Sequence, residues 1–93
     1  MITGVLSAKL FINNACSLKD KRQVLKSIED RLRNKFNISI AEIGEQDKWQ
    51  TAAIGIATVA NDTKFVCKTL SDIVNYIRLE PNAELIDYEQ EIL

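Results

Sequence analysis

Apolar residues in this chain recur first at every second position and then at helical spacing. Two further period-two stretches, a second helical one and a last period-two stretch follow. A period of two belongs to a strand whose side chains alternate between faces, and a period near 3.6 to a helix with one apolar side. Over residues 2–13, Ile2, Leu6, Ala8, Leu10 and Ile12 share one face while Thr3, Ser7, Lys9 and Asn13 take the other. Asn13-Asn14-Ala15 breaks this strand, and Ser17 is placed to cap a helix, with Asp20 three residues on in the capping-box position. Leu18, Val24, Leu25, Ile28 and Leu32 then form a single apolar arc, and Asn37 supplies a turn after Phe36.

Residues 38–43 read as a second strand, and Gly44-Glu45-Gln46-Asp47 as a connection built from turn residues. Residues 49–60 form a third strand, with Ile54 and Ile56 on its heavy side and Ala53, Gly55 and Ala57 on the other. Asn61 or Asp62 caps a second helix with the stripe Val66, Leu70, Ile73, Val74 and Ile77, and Pro81 stops it. Residues 83–92 alternate Ile86, Tyr88 and Ile92 against Asp87, Glu89 and Glu91, which predicts a fourth strand with its acids turned outward.

The order strand, helix, strand, strand, helix, strand favours right-handed crossovers with both helices on one side of a sheet. The expected class is α+β: a ferredoxin-like βαββαβ sandwich, a four-stranded antiparallel sheet with two helices on one face and the other face open. Ninety-three residues leave room for one domain, residues 1–93, and no repeat or low-complexity tract divides it. The start of the chain lacks the layout of a signal peptide, and no apolar run approaches the roughly 20 residues of a membrane helix. A soluble cytoplasmic protein with no membrane partner is expected. Cys16 and Cys67 lie far apart and outside any C-x-x-C pattern, which reads as free thiols in a reducing compartment. The absence of histidine removes the commonest zinc ligand and the commonest neutral-pH general base.

Charge is spread unevenly. Residues 17–35 hold seven of the twelve Lys and Arg residues against Asp20, Glu29 and Asp30, although the whole chain carries a formal charge of −1. Stepped around a helix axis, Lys19, Arg22, Lys26 and Arg33 fall on one stripe opposite the apolar arc, a form suited to tracking phosphates. Ser17, Lys19, Lys21 and Arg22 lie at the helix start, where exposed backbone N–H groups favour an anion. The plainer alternative is a solvated face with Glu29 and Arg33 paired at i,i+4. The acids of the last strand would repel phosphates, so a polyanion would meet the helical side. Ribonucleoprotein-type domains stack bases on aromatics in their central strands, whereas Ala53, Gly55 and Ala57 offer none. Those small residues admit a sheet-to-sheet homodimer or a ligand cleft, with a modestly covered surface as the simpler alternative. Trp49, beside the turn residues Gln46 and Asp47, reads as a core or rim anchor before a stacking platform.

For catalysis the inventory is thin: no Gly-rich phosphate loop, no G-x-S-x-G elbow and no Cys/His pair. Acylphosphatases share the element order and length but place a glycine-bearing loop and an arginine directly after strand one, where this chain has Asn13-Asn14-Ala15-Cys16. Regulatory ACT-type modules share the topology too, but the loop after strand one lacks the glycine their sites usually employ. No catalytic residue, metal or cofactor is expected.

Ser17-Leu18-Lys19, Lys21-Arg22, Phe36-Asn37, Ala41-Glu42, Gly44, Gln46-Asp47, Trp49-Gln50 and Asn61-Asp62 follow in one register along essentially the whole chain. In these motifs the chain resembles the YlxP-like family, also catalogued as domain of unknown function family 503. The resemblance implies a ferredoxin-like fold and a small bacterial protein, commonly encoded near translation factors and ribosome-binding factor A and associated with the ribosome. It carries over no catalytic residue. Together, residues and resemblance lead to a non-enzymatic accessory protein that meets a ribosomal subunit or rRNA through Ser17, Lys19, Lys21, Arg22, Lys26 and Arg33. Gln46, Asp47 and Trp49 are candidates for a contact rim. The second expectation is a homo-oligomeric module that binds a ligand or protein at the open sheet face.

Overall fold

The computed structural model describes residues 1–93, and its elements follow from the two periodicities. They run β1 Ile2–Ile12, α1 Leu18–Lys35, β2 Ser39–Gly44, β3 Thr51–Ala60, α2 Thr63–Arg78 and β4 Ala83–Ile92. The strands form one antiparallel sheet in the order β2-β3-β1-β4, the ferredoxin-like arrangement. Leu6, Ala8, Leu10 and Ile12 of β1 meet Ala52, Ile54 and Ile56 of β3 on the side covered by the helices. Leu25, Ile28 and Leu32 of α1 and Val66, Leu70, Ile73, Val74 and Ile77 of α2 close that core. No helix is long and apolar enough to cross a membrane.

Local chemistry sets the element boundaries. The Ser17 hydroxyl accepts the Asp20 N–H at 3.1 Å, and the Asp20 carboxylate in turn accepts the Cys16 N–H at 3.0 Å. The first bond satisfies a donor that the first helical turn leaves without a partner, and the second ties the Asp20 side chain back to the residue before the cap. Asp62, not Asn61, caps α2, its carboxylate accepting the Lys64 N–H at 3.3 Å.

Both edge strands depart from strict alternation. The register shifts at Ile43 in β2 and at Ile86 in β4, so each strand carries a bulge at an isoleucine. In β4 this corrects the expected phase: Leu85 faces Leu10 on the core side, and Ile86 is 52% exposed. Beyond the bulge Tyr88 returns to the helix side opposite Ala8, and Asp87, Glu89 and Glu91 face outward as the alternation predicts. Tyr88 and Ile92 remain exposed because β4 is an edge strand and the helices reach over it only in part.

Gly4 sets how closely α2 approaches β1. A Cβ there would lie 2.5 Å from Val66 Cγ1 and 3.1 Å from Leu70 Cδ1, so the helix rests directly on the backbone of the strand. Gly4→Ala overpacks this contact and should lower stability by about 1–3 kcal/mol in urea unfolding. A variant as stable as the parent would contradict the contact.

Candidate nucleic-acid interface

The seven basic side chains of α1 divide into groups that hold the fold and groups that face solvent. Lys21 belongs to the first. Leu25, Ile28 and Leu32 follow it at i+4, i+7 and i+11, which places its stem on the buried side of the helix. Only 1% of the residue is exposed. Its Nζ donates to the Glu45 carbonyl at 2.8 Å and the Thr51 carbonyl at 3.1 Å. It also meets Glu42 Oε2 at 2.9 Å, as an ion contact that falls outside hydrogen-bond geometry. An ammonium removed from water is tolerated only with such compensation. The expectation that Lys21 offers itself to a phosphate is thereby corrected: its donors are spent inside the domain. The signal for this was Lys21's own register with the apolar arc, together with Glu42 at a core-side position of β2 opposite Ile54.

Arg31 plays a matching part near the other end of α1. Its guanidinium forms a two-pronged pair with Glu80, which the connection between α2 and β4 buries to 8% exposure, with Nε donating to Oε1 at 3.1 Å. Donation to Glu80 raises the Arg31 pKa further above its ordinary value. Nothing in the charge pattern singled out Arg31 or Glu80, because their partnership spans 49 residues.

The stripe residues sit differently. Lys19 and Arg22 are exposed and take part in no ion pair. Lys26 pairs with Asp30 at 3.3 Å, and Arg33 lies 3.5 Å from Asp30 and 3.7 Å from Glu29. Arg33 also donates to the Ile40 carbonyl at 3.1 Å, which ties it to β2. Lys35 lies 5.4 Å from the centre of the Tyr76 ring.

The two carbonyls that Lys21 grips flank the tip of the β2–β3 hairpin, so that tip lies against the first turn of α1. The structure thus brings Gln46, Asp47 and Trp49 to the end of the domain that carries Ser17, Lys19 and Arg22. All six are exposed, and Trp49, at 46%, lies outside the core and the residues packed on it, which corrects its expected role as an anchor. Glu45 adopts the left-handed region with φ 61, a conformation costly for a residue with a side chain. Lys21 on its carbonyl and Lys48 and Lys9 on its carboxylate, at 2.9 and 3.1 Å, hold it there.

The open face of the sheet carries two short rows across all four strands. Ser39, Ala57, Val5 and Glu91 form one, and Ala41, Gly55, Ser7 and Glu89 the other. The β2 bulge aims Ile43 onto this face, where it leans over Gly55: a Cβ at Gly55 would lie 2.9 Å from Ile43 Cγ2. The thiols of Cys16 and Cys67 are free and exposed.

Lys21→Met leaves Glu42 and two carbonyls without their cation and should cost about 3–5 kcal/mol in chemical unfolding. Lys19→Met and Arg22→Met should each stay within about 0.5 kcal/mol of the parent. Equal costs at the three positions would contradict the assignment. Lys48, and then Lys9, hold the Glu45 carboxyl below its ordinary pKa. Because the folded value is the lower one, this contribution is present above about pH 4.3 and is lost as pH falls through the folded value. Acidification into that window should lower the unfolding midpoint, and Glu45→Gln should remove part of that pH dependence; an unaltered profile would contradict the pairing.

The family profile described as "Protein of unknown function (DUF503)" matches residues 3–90. The chain is 43% identical over 81 residues to the uncharacterized protein YlxP of Bacillus subtilis (strain 168), a match covering 87% of this chain and 88% of that one. Among solved structures it is similar to the de novo designed protein Foldit4, with a TM-score of 0.54 and 12% identity over 100% of this chain and 97% of that one. It is also similar to the de novo designed protein LFR1 with ferredoxin fold, with a TM-score of 0.53 and 16% identity over 99% and 85%. At these identities the two designs speak to the fold alone.

Proposed function

The chain belongs to the DUF503 family of proteins of unknown function, and on that premise we propose that it is a non-enzymatic accessory protein that binds ribosomal RNA, free or in a ribosomal subunit, through the outer face of α1. One observation carries this reading: the charges left without an ion pair are basic on α1, apart from Asp20, whose carboxylate is taken up in the helix cap, and acidic on β4. Lys19 and Arg22 on α1 have no acidic partner, while Glu84, Asp87, Glu89 and Glu91 on β4 have no basic one. A polyanion approaching this domain is drawn to one layer and repelled by the far edge.

The energies of the remaining stripe residues fit the same use. Pairs such as Lys26–Asp30 and Arg33–Glu29 are worth only about 0.3–0.5 kcal/mol each when exposed on a helix. A phosphate can exchange for such a partner at little cost, and each contact gains from counterion release. Lys21 and Arg31 cannot be exchanged that way, because their carboxylates lie in the interior or close beneath the surface. The proposed contact set is therefore Lys19, Arg22, Lys26 and Arg33, with Gln46, Asp47 and Trp49 as a rim beside the helix start.

Substituting Lys19, Arg22, Lys26 and Arg33 together by Glu should abolish co-sedimentation with small ribosomal subunits while the circular dichroism spectrum stays that of the parent. Parent binding should fall with salt at a log–log slope of about 3–4, as expected for roughly four phosphate contacts. Undiminished binding by the folded fourfold variant would overturn the reading.

A further inference from the structure

On the side of the sheet away from the helices we infer a docking surface for a basic, apolar polypeptide segment of another protein. The surface is a groove of about 430 Å³ that spans all four strands, a size within the range of roughly 300–1,000 Å³ typical of ligand clefts. Its floor is made of residues with little or no side chain, chiefly Ala41, Gly55 and Ala57. Ile43, aimed onto this face by the β2 bulge, walls one end, and Glu89 and Glu91 of β4 line the other.

Charge complementarity selects the occupant. Neither Glu89 nor Glu91 has a Lys or Arg within ion-pair distance, and Asp87 beside them has none either. Unpaired carboxylates at the rim of an apolar groove repel nucleic acid and acidic ligands and attract a cation carried next to an apolar side chain. A small amine would use one end of the groove, whereas an extended peptide can lay an apolar side chain over Ala57, beside the Ile43 that covers Gly55, and bring a Lys or Arg to β4. A second copy placed face to face supplies no such cation. The one basic residue that the strand pairings place on this face is Lys9, and Glu45 holds it at 3.1 Å. The carboxylates at the β4 edge also discourage that edge from pairing with another strand, so the partner enters over the face. This inference is independent of the proposed use of α1, which lies on the opposite layer.

The test is fluorescence anisotropy with a fluorescein-labelled decapeptide of alternating Lys and Leu, against one of alternating Glu and Leu. The Lys-Leu peptide should bind saturably and the Glu-Leu peptide should not. Its titration should shift the backbone amide resonances of Ser7, Gly55 and Ala57 in the unaltered protein. Glu89→Lys with Glu91→Lys should weaken binding about tenfold, the worth of two exposed ion pairs. Ala57→Arg should remove binding by filling the groove while both carboxylates stay. The fourfold α1 variant should bind as the parent does, so that failure of one reading leaves the other standing. Undiminished binding by either groove variant, equal binding of the two peptides or no shift at those amides would overturn the inference. So would a dimer in sedimentation that Ala57→Arg disperses, which would assign the face to a second copy.

Discussion

The ammonium group of Lys21 is the interaction on which the arrangement of this domain depends. It sits where α1, the edge strand β2 and the start of β3 converge, and it binds an oxygen from each side of the β2–β3 hairpin tip and one from β2. An apolar side chain there would pack against the arc but leave a carboxylate and two carbonyls facing the interior without donors. The hairpin tip would then lose its seat on the helix, and the left-handed Glu45 one of the contacts that holds its backbone. A single buried cation thus converts a helix-on-sheet contact into a fixed end of the domain.

This anchor changes how the charge of α1 is understood. Seven cations on one helix suggest a broad basic face, but each does different work. Lys21 and Arg31 fasten the helix near its two ends, to the β2–β3 hairpin and to Glu80. Arg33 lends one donor to β2 and keeps its remaining charge at the surface. Lys19, Arg22 and Lys26 are held by weak pairs or none. The proposed RNA-binding face is accordingly narrower than the composition implies, and it is presented on a helix whose ends are pinned. On the other layer the two isoleucine bulges reshape the sheet edges, one of them filling the space over Gly55 and so bounding the groove.

Much of the fold was legible because it rests on periodicity and caps: the element order, the Ser17 and Asp20 box, the Val66 to Ile77 stripe and the outward acids of β4. What escaped depends on contacts between residues far apart in the chain. Both bulges arise from strand pairing, which no single strand's alternation reveals, so Leu85 and not Ile86 reaches the core. A lysine on an amphipathic helix is ordinarily a surface residue, and only its register with Leu25, Ile28 and Leu32 marked Lys21 as an exception. Arg31 gave no sign at all, since its role is defined by Glu80, a residue just past the second helix. The sequence leads one to expect Trp49 as an anchor at the core or its rim, but the structure leaves it exposed on the hairpin tip, outside the core and the residues packed on it.

The central claim is that the domain offers nucleic acid one side only, the outer face of α1. Ultraviolet crosslinking of the protein to small ribosomal subunits, with the RNA-linked residues mapped by mass spectrometry, tests it most directly. The account predicts RNA-linked residues within Leu18–Lys35, extending at most to the adjoining hairpin tip, and none on Ala83–Ile92. Links concentrated on β4 or the open sheet face, or no links at all, would contradict it.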